Sequence, residues 1–232
     1  MDLLRQGDRD LCPDCRERPR GAIRHIPVEG PREGLMTAPR SLPARLRSAV
    51  EAWCTGRSWL LRLPLLLWFG WILVRHWGSP TYQSLFKPLN LGIHELGHYL
   101  FAPLGQFVGI AGGSILQCLA PILSMGMFLR QRDFFAIVVC LGWLSTNIFD
   151  VATYAGDASA MALPLVSPGG GDVIHDWNYL LGRLGLLGWD GLLAFVLRVA
   201  ASADMIATIA LGAWLLWTMA RLKGSREALD DL

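Results

Sequence analysis

The chain has 232 residues, of which 53% are hydrophobic and 17% are charged, with a formal net charge of +2. This balance is too apolar for an ordinary soluble domain and indicates a membrane protein surrounded by the lipid bilayer. The positive charge comes largely from the Arg-rich N-terminal region. It forms no stripe of interleaved basic and aromatic residues, which argues against a nucleic-acid partner.

Residues 1–57 form a polar N-terminal arm in which Arg, Asp, Glu, Pro and Gly are frequent. Such a segment cannot bury enough apolar surface to fold alone, so we expect a flexible, cytoplasmic arm. Within it, Cys12 and Cys15 in "CPDC" have the spacing of half a zinc knuckle. A four-ligand zinc site needs a second pair, so two free thiols are the simpler interpretation.

Five apolar segments within residues 58–223 predict an all-α membrane domain, a polytopic bundle of about five transmembrane helices. The first has Trp, Arg and His at its ends, as expected at a membrane interface. The second carries the run "HELGH", and the Gly-rich stretch "GQFVGIAGG" is expected to turn the chain into the third. In chain order the segments are 59–77, a second that ends near 103, 114–129, 134–154 and 192–222, and a polar tail follows at 224–232.

The orientation of this bundle is not fixed by the number of segments. The Arg-rich arm favours a cytoplasmic N-terminus, but five simple crossings would then place "RQRD" and "RLKGSR" outside, against the positive-inside bias. A re-entrant segment in 105–113 or 156–191 would change the parity, and both topologies are left open.

The run "HELGH" predicts a metal site. On an α-helix His94 and His98 lie on one face about one turn apart, so both imidazoles can reach a single ion. Glu95 stands beside the first ligand, where it can hold a metal-bound water and accept its proton. Glu95 is also the one glutamate between Glu51 and Glu227, and ionisable groups in membrane segments are costly unless paired or bound. The alternative is an internal polar cluster in which these three side chains bond one another.

A membrane helix with "HELGH", a short turn, another helix and a further helix bearing Asn147 and Asp150 resembles the site-2 protease family of intramembrane zinc metallopeptidases. The resemblance covers roughly residues 85–160 and looks closest to a poorly characterised bacterial branch. It implies zinc bound by the two histidines, the glutamate as general base, and an aspartate two helices later as third ligand. It also implies a bacterial cytoplasmic membrane location and substrates that are membrane proteins or peptides.

The third metal ligand is open on the sequence alone, because "NIFDVATYAGDA" replaces the family's Asn-x-x-Pro and Asp-Gly pattern. Asp150 is favoured, since an unpaired carboxylate deep in a membrane segment is expensive. Asn147, Tyr154 and Asp157 fall near the same helical face and are candidates to support the site.

The depth of Asp150 depends on where the HELGH helix begins. If that helix begins near Tyr82, Asp150 lies nearly level with the histidines, whereas a start at Pro88 removes the match. Pro88 suits the first turn of a helix, which favours the later start and weakens the case for Asp150 as third ligand.

His175 is the alternative third ligand, because imidazole is a favoured zinc ligand and the preceding glycines could fold the loop back. Asp176 would then orient a ligand, or it would simply cap the amphipathic helix that follows. Asp157, Asp176 and Asp204 are the other carboxylates that could serve as the third ligand.

These features predict a zinc-dependent membrane peptidase in which Glu95 is the general base. Asn147, Tyr154 or His175 could donate a hydrogen bond to the oxyanion, and the sequence does not choose among them. The alternative is a non-catalytic membrane metal-binding protein, such as a sensor or assembly factor, whose site would have four closed protein ligands. A metal transporter is a third, weaker possibility, because it does not need a base beside its ligands.

Overall fold

In the computed structural model of the protein, residues 41–164 and 174–230 are described, with side chains as far as residue 223. Within these ranges the chain is all-helical, and two short 3-10 turns, Ala102–Leu104 and Leu187–Trp189, connect helices. The predicted thiol pair Cys12 and Cys15 lies outside the described residues. The helices are α1 Leu42–Cys54, α2 Leu63–Gly78, α3 Lys87–Phe101, α4 Gln106–Gln131, α5 Phe134–Gly156, α6 Asp176–Leu184 and α7 Asp190–Asp230.

Three stretches are long and apolar enough to cross a membrane, namely α4, α5 and Leu187–Lys223. The remaining apolar helices, α2 and α3, have 16 and 15 residues. Both are shorter than the roughly 20 residues that a perpendicular crossing requires. The described chain is therefore a helical bundle with three full-length candidate spans, and the count of five stays a prediction.

Local sequence explains where the helices near the site begin and end. Pro88 occupies the first turn of α3, where its missing N–H group costs nothing, so the helix begins at the later of the two positions considered. The Asp133 carboxylate accepts a hydrogen bond from the Ala136 N–H and caps α5. Gly185, with a φ of 69°, ends α6 in a left-handed conformation that glycine adopts without strain.

The predicted arm and tail are both shorter than expected. Part of the arm forms α1, in which Val50 and Cys54 are buried in one cluster with Leu215 and Met219 of α7. The C-terminal half of this helix therefore packs against the bundle. At the other end of the chain, α7 continues through most of the predicted tail to Asp230.

The Gly-rich stretch forms a turn only at its first residue. Gly105, with a φ of 101°, precedes α4, which begins at Gln106, and the other three glycines of the stretch lie inside that helix. An added Cβ on Gly112 would meet the Gly97 carbonyl oxygen of α3 at 2.7 Å. The glycines thus allow α3 and α4 to pack as a close antiparallel hairpin, as small residues do between membrane helices.

The core of the bundle lies between α2, α5 and α7. Phe69, Ile72 and Leu73 of α2 are buried against Phe149 of α5, and Ala201 and Met205 complete the cluster from α7. Phe86, just before α3, stacks on Trp68 with ring centroids 5.2 Å apart. This contact fixes the start of α3 to the core and directs the HELGH helix into the space between α4, α5 and α6.

Candidate metal centre

Three side chains from two distant helices converge at the centre of the HELGH helix. Nε2 of His94 lies 2.8 Å from Oδ2 of Asp176, and Nε2 of His98 lies 3.2 Å from the same oxygen. One ligand atom from each residue lies within 4.8 Å of the others. His94 and Asp176 are buried, and the His98 side chain is 25% exposed. The arrangement could hold a metal ion.

The orientation of the His94 ring is set by Gln117 of α4. Gln117 donates from Nε2 to the main-chain carbonyl of Asn147 at 3.3 Å, which identifies its other amide atom, Oε1, as an acceptor. That Oε1 lies 2.6 Å from Nδ1 of His94, so Nδ1 carries the proton and donates it. Nε2 of His94 is left to face Asp176.

His98 is oriented in the same way by a main-chain group. Its Nδ1 lies 3.0 Å from the carbonyl oxygen of Gly109, which can only accept a hydrogen bond, so Nδ1 is the donor. Both imidazoles therefore direct Nε2 at one carboxylate. Metal-binding histidines are commonly held by such a bond from the second ring nitrogen.

The donor atoms fit a small divalent cation. Two imidazole lone pairs and a carboxylate oxygen cannot face one another without a positive charge between them, so the position must hold a metal ion or shared protons. Ligands about 2.0–2.1 Å from a tetrahedral zinc ion are themselves roughly 3.3 Å apart. The separations of 2.8 and 3.2 Å from Asp176 to His94 and His98 are close to that value.

Asp176, and not the favoured Asp150, is the carboxylate that lies beside the two histidines. It is the first residue of α6, and its main-chain N–H donates to the Tyr154 hydroxyl at 3.1 Å. Burial raises the pKa of Asp176, but the interactions of its carboxylate with the rings of His94 and His98 outweigh this effect and lower it. The carboxylate is therefore ionised at neutral pH, in the form that binds metals.

Asp150, the favoured third ligand, is not brought to the two histidines. Its Oδ2 accepts a 2.7 Å hydrogen bond from Nδ2 of Asn90, and its Oδ1 pairs with Nζ of Lys87 at 3.6 Å. The buried Asp150 carboxylate does have a charged partner, but this partner is Lys87 of α3 and not a metal ion held with the histidines. The prediction of Asp150 as ligand is corrected to Asp176.

His175, the alternative ligand, has both ring nitrogens committed elsewhere. Nδ1 accepts from the main-chain N–H of Asn178, and Nε2 lies 3.2 Å from Oδ2 of Asp157. His175 rather than Asp176 thus caps α6. Its role is to hold the start of the helix that carries Asp176.

Asp157, which directly follows α5, holds the next residues of the chain by hydrogen bonds. Its carboxylate accepts from the main-chain N–H groups of Ala162 and Leu163 at 3.0 and 2.9 Å and pairs with His175. Partial burial raises the pKa of Asp157, but these hydrogen bonds outweigh that effect and lower it. Asp157 thus supports the site through His175 and is not a ligand.

Glu95 faces a cavity of about 900 Å³ beside the three ligand atoms. Its side chain is half-buried, and among the described residues it has no ion-pair partner. The cavity can admit both water and a polypeptide segment. Its walls include His94, Glu95, His98, Gln117, Asp150, Tyr154 and Asp176.

The structure distinguishes the remaining predicted residues. Tyr154 lines the cavity, with its ring centroid 6.1 Å from that of His94. Asn147 is fully buried, donates from Nδ2 to the Trp143 carbonyl, and does not line this cavity. Asp204 lies on α7, and no residue of α7 lines the cavity.

No family model matches this chain, and no curated protein or solved structure matches it either.

Proposed function

We propose that the protein is a membrane-embedded zinc metallopeptidase of the bacterial cytoplasmic membrane, similar to the site-2 protease family. The observation that carries this proposal is the convergence of His94, His98 and Asp176 next to Glu95 at the wall of one cavity. Two imidazoles and one carboxylate are a donor set of catalytic zinc sites, which keep one position for water.

The ion would be held by Nε2 of His94, Nε2 of His98 and Oδ2 of Asp176. When bound, it would supply a water of lowered pKa, and hence a hydroxide nucleophile at neutral pH. Gln117 and Gly109 would keep the two rings in the tautomer that this binding requires.

Glu95 is proposed as the general base. Among the described residues, three carboxylates line the cavity. Asp150 forms an ion pair with Lys87, and Asp176 faces the histidines, so Glu95 is the one that remains to accept a proton. It would take the proton from the attacking water and later deliver it to the leaving amine.

Tyr154 is proposed as the donor to the carbonyl oxygen of the scissile bond. Its hydroxyl accepts the Asp176 N–H, and a hydroxyl that accepts in this way still has its own proton to donate. Asn147 and His175, the other two candidates, have their side-chain nitrogens engaged elsewhere. A single donor of this kind stabilises the developing negative charge substantially.

The proposed substrate is a transmembrane segment or a membrane-associated peptide. The cavity is bounded by α3, α4 and α5, and α3 exposes Leu96 and Leu100, which do not line the cavity. An apolar outer surface around a polar cavity suits a site that lies within the bilayer. In this proposal α2 and α3 complete the bundle of about five membrane segments.

The experiment is cleavage of single-span peptides, each about 20 apolar residues long, co-reconstituted with the zinc-loaded protein in lipid vesicles. Products are identified by mass spectrometry for the wild type, Glu95→Gln and the control Glu51→Gln. Loss of cleavage in Glu95→Gln alone, by about 10²–10⁴-fold, supports the proposal. Equal cleavage by Glu95→Gln contradicts it, and zinc binding without any cleavage by the wild type favours the non-catalytic metal-binding protein.

A further inference from the structure

One end of the bundle, here called the basic end, is formed by α1, the start of α5 and the end of α7. The rings of Trp53 and Phe134 pack edge to face with centroids 5.9 Å apart. Arg221 near the end of α7 lies 3.5 Å from Glu51 of α1. The α4–α5 turn belongs to the same end, because it directly precedes Phe134.

Most cations of the described chain lie at the basic end. Up to residue 223, Glu51 and Asp133 are the two acids of this end, and the last residues of α7 add Arg226, Glu227 and Asp230. The remaining described cations, on α2, α3, α6 and α7, lie elsewhere: Arg75, Lys87, Arg183 and Arg198. Up to residue 223, the cations of the basic end are Arg45, Arg47, Arg57, Arg62, Arg130, Arg132, Arg221 and Lys223.

The opposite end, here called the cleft end, joins the end of α2, the end of α5 and the start of α7. Arg198 donates to the Pro80 carbonyl at 3.1 Å, and the Ser159 N–H donates to the Asp190 carboxylate at 3.0 Å. The cavity is lined from this end by residues of the connections after α2 and α5 and by the start of α4. Its described walls include no residue of α1, α2 or α7.

Helix α3 does not cross the whole bundle. The Phe86 ring stacks on Trp68 and Phe69 of α2, and an added Cβ on Gly142 of α5 would meet the Phe69 ring at 2.5 Å. Phe86 therefore lies at the level of the interior of α2 and α5. The chain returns into the bundle after α2, and α3 runs from this level to the cleft end, where α4 begins.

Because the chain turns back inside the bundle at α3, the helices that connect the two ends are α2, α4, α5 and α7. An even number of crossings puts the start of α2, the α4–α5 turn and the end of α7 on one side. The conflict between "RQRD" and "RLKGSR" on one side and the arm on the other disappears for the described part of the arm, residues 41–57, because this part and both motifs lie at the basic end. The re-entrant element is the link 79–86 with α3, and neither 105–113 nor 156–191 is needed for that role.

We propose that the basic end lies at the cytoplasmic leaflet and that the metal cleft opens on the outer side of the membrane. Positive residues flanking membrane helices are retained on the cytoplasmic side, where anionic lipids also attract them. Resting on the proposed function, the substrate class becomes a membrane segment cut in its outer half, or a peptide that approaches from outside. The orientation itself does not require that the protein be a peptidase.

The experiment compares two exposed alanines, one at each end, in the full-length protein. Ala52 lies on α1 and Ala160 lies just beyond α5. Ala52→Cys and Ala160→Cys are treated with a membrane-impermeant maleimide in spheroplasts and in inside-out vesicles. The labelling of the wild type, which comes from the native cysteines, is subtracted as background. We expect Ala160→Cys to label in spheroplasts and Ala52→Cys to label in inside-out vesicles.

The reverse pattern, or labelling of both positions from one side, overturns the orientation. A second measurement decides if neither variant labels: a C-terminal fusion of the whole chain to a fluorescent protein or to alkaline phosphatase. Fluorescence without phosphatase activity supports the proposal, and phosphatase activity overturns it. Neither readout depends on peptidase activity, so a failure of the proposed function is recognised separately, by the vesicle cleavage assay.

Discussion

Asp176 and His94 are 82 residues apart in the chain, yet Oδ2 of the one lies 2.8 Å from Nε2 of the other. His98 reaches the same oxygen at 3.2 Å. The contact joins α6 to α3, and the start of α6 is held in place by His175, which caps the helix and pairs with Asp157. The third side chain of the site thus comes from a short helix, α6, that is distant in sequence from the HELGH motif on α3.

The hydrogen bond from His94 to Gln117 predicts an effect of Gln117 on metal affinity. Gln117→Leu removes the acceptor that holds the ring, and we expect zinc affinity to fall about 10–100-fold. Competition with a chromophoric chelator measures this. Ser124→Ala, on the same helix, removes only a bond to the Ala120 carbonyl and serves as the control. Unchanged affinity in Gln117→Leu would show that the ring is held by other contacts.

The close approach of α4 to His94 predicts that Gly113 tolerates no side chain. A Cβ at Gly113 would lie 2.6 Å from Nε2 of His94, whereas one at Gly126 of the same helix meets nothing within 4 Å. Gly113→Ala should lower the free energy of unfolding by about 1–3 kcal/mol and displace the ligand atom. Thermal unfolding and bound zinc are measured for both variants. Equal behaviour of Gly113→Ala and Gly126→Ala would contradict the helix packing described.

The Tyr154 hydroxyl predicts a loss of turnover without a loss of metal. Tyr154→Phe should keep its zinc and lose about 10²–10³-fold in kcat, because the donor to the oxyanion is gone. Tyr99→Phe is the matched control, since Tyr99 also lines the cavity but is 67% exposed. Single-turnover cleavage in vesicles separates the two. If Tyr154→Phe cleaved at the wild-type rate, another group must serve the oxyanion.

The carboxylate of Asp157 predicts a pH-dependent contribution to stability. Its lowered pKa means that the ionised form is favoured in the folded protein, so its contribution is present above the ordinary aspartate value of about 3.9 and is lost as pH falls through the folded pKa. The stability difference between wild type and Asp157→Asn should therefore be largest at neutral pH and shrink in acid. Thermal unfolding in detergent from about pH 3 to 7 measures it. A difference that stays constant with pH would exclude a charged Asp157 as its source.

The motif residues could be predicted from the sequence because their relationship is local. His94, Glu95 and His98 lie within about one helical turn, so the helix alone determines their geometry. The sequence offered two possible starts for α3, near Tyr82 and at Pro88. The helix begins at Lys87, with Pro88 in its first turn.

The third ligand could not be predicted because its partners lie in distant parts of the chain. Asp150 was favoured as a buried carboxylate without a partner in its own segment, but Lys87 and Asn90 reach it from another helix. Asp176 lies in the connection after α5, where the local pattern was equally consistent with a helix cap and with a residue of the site. Its approach to the histidines follows from tertiary contacts, and no period in the sequence reports those.

The glycines illustrate the same limit of local patterns. A run of glycines predicts a turn when read alone, and here Gly112 and Gly113 lie in the middle of α4. Their function is to admit the backbone of Gly97 and the ring of His94, which belong to α3. The choice between a turn and a close helix contact depends on the neighbouring helix.

Asp176, and not Asp150, lies beside His94 and His98, where the three side chains could hold a metal ion. The most direct measurement is bound zinc per chain in the purified, detergent-solubilised wild type and in the isosteric variants Asp176→Asn and Asp150→Asn. We expect about one zinc per chain in the wild type and in Asp150→Asn. We expect Asp176→Asn to lose this bound zinc. Retention by Asp176→Asn with loss in Asp150→Asn, or a folded wild type that never met chelator and binds no zinc, would contradict this metal site.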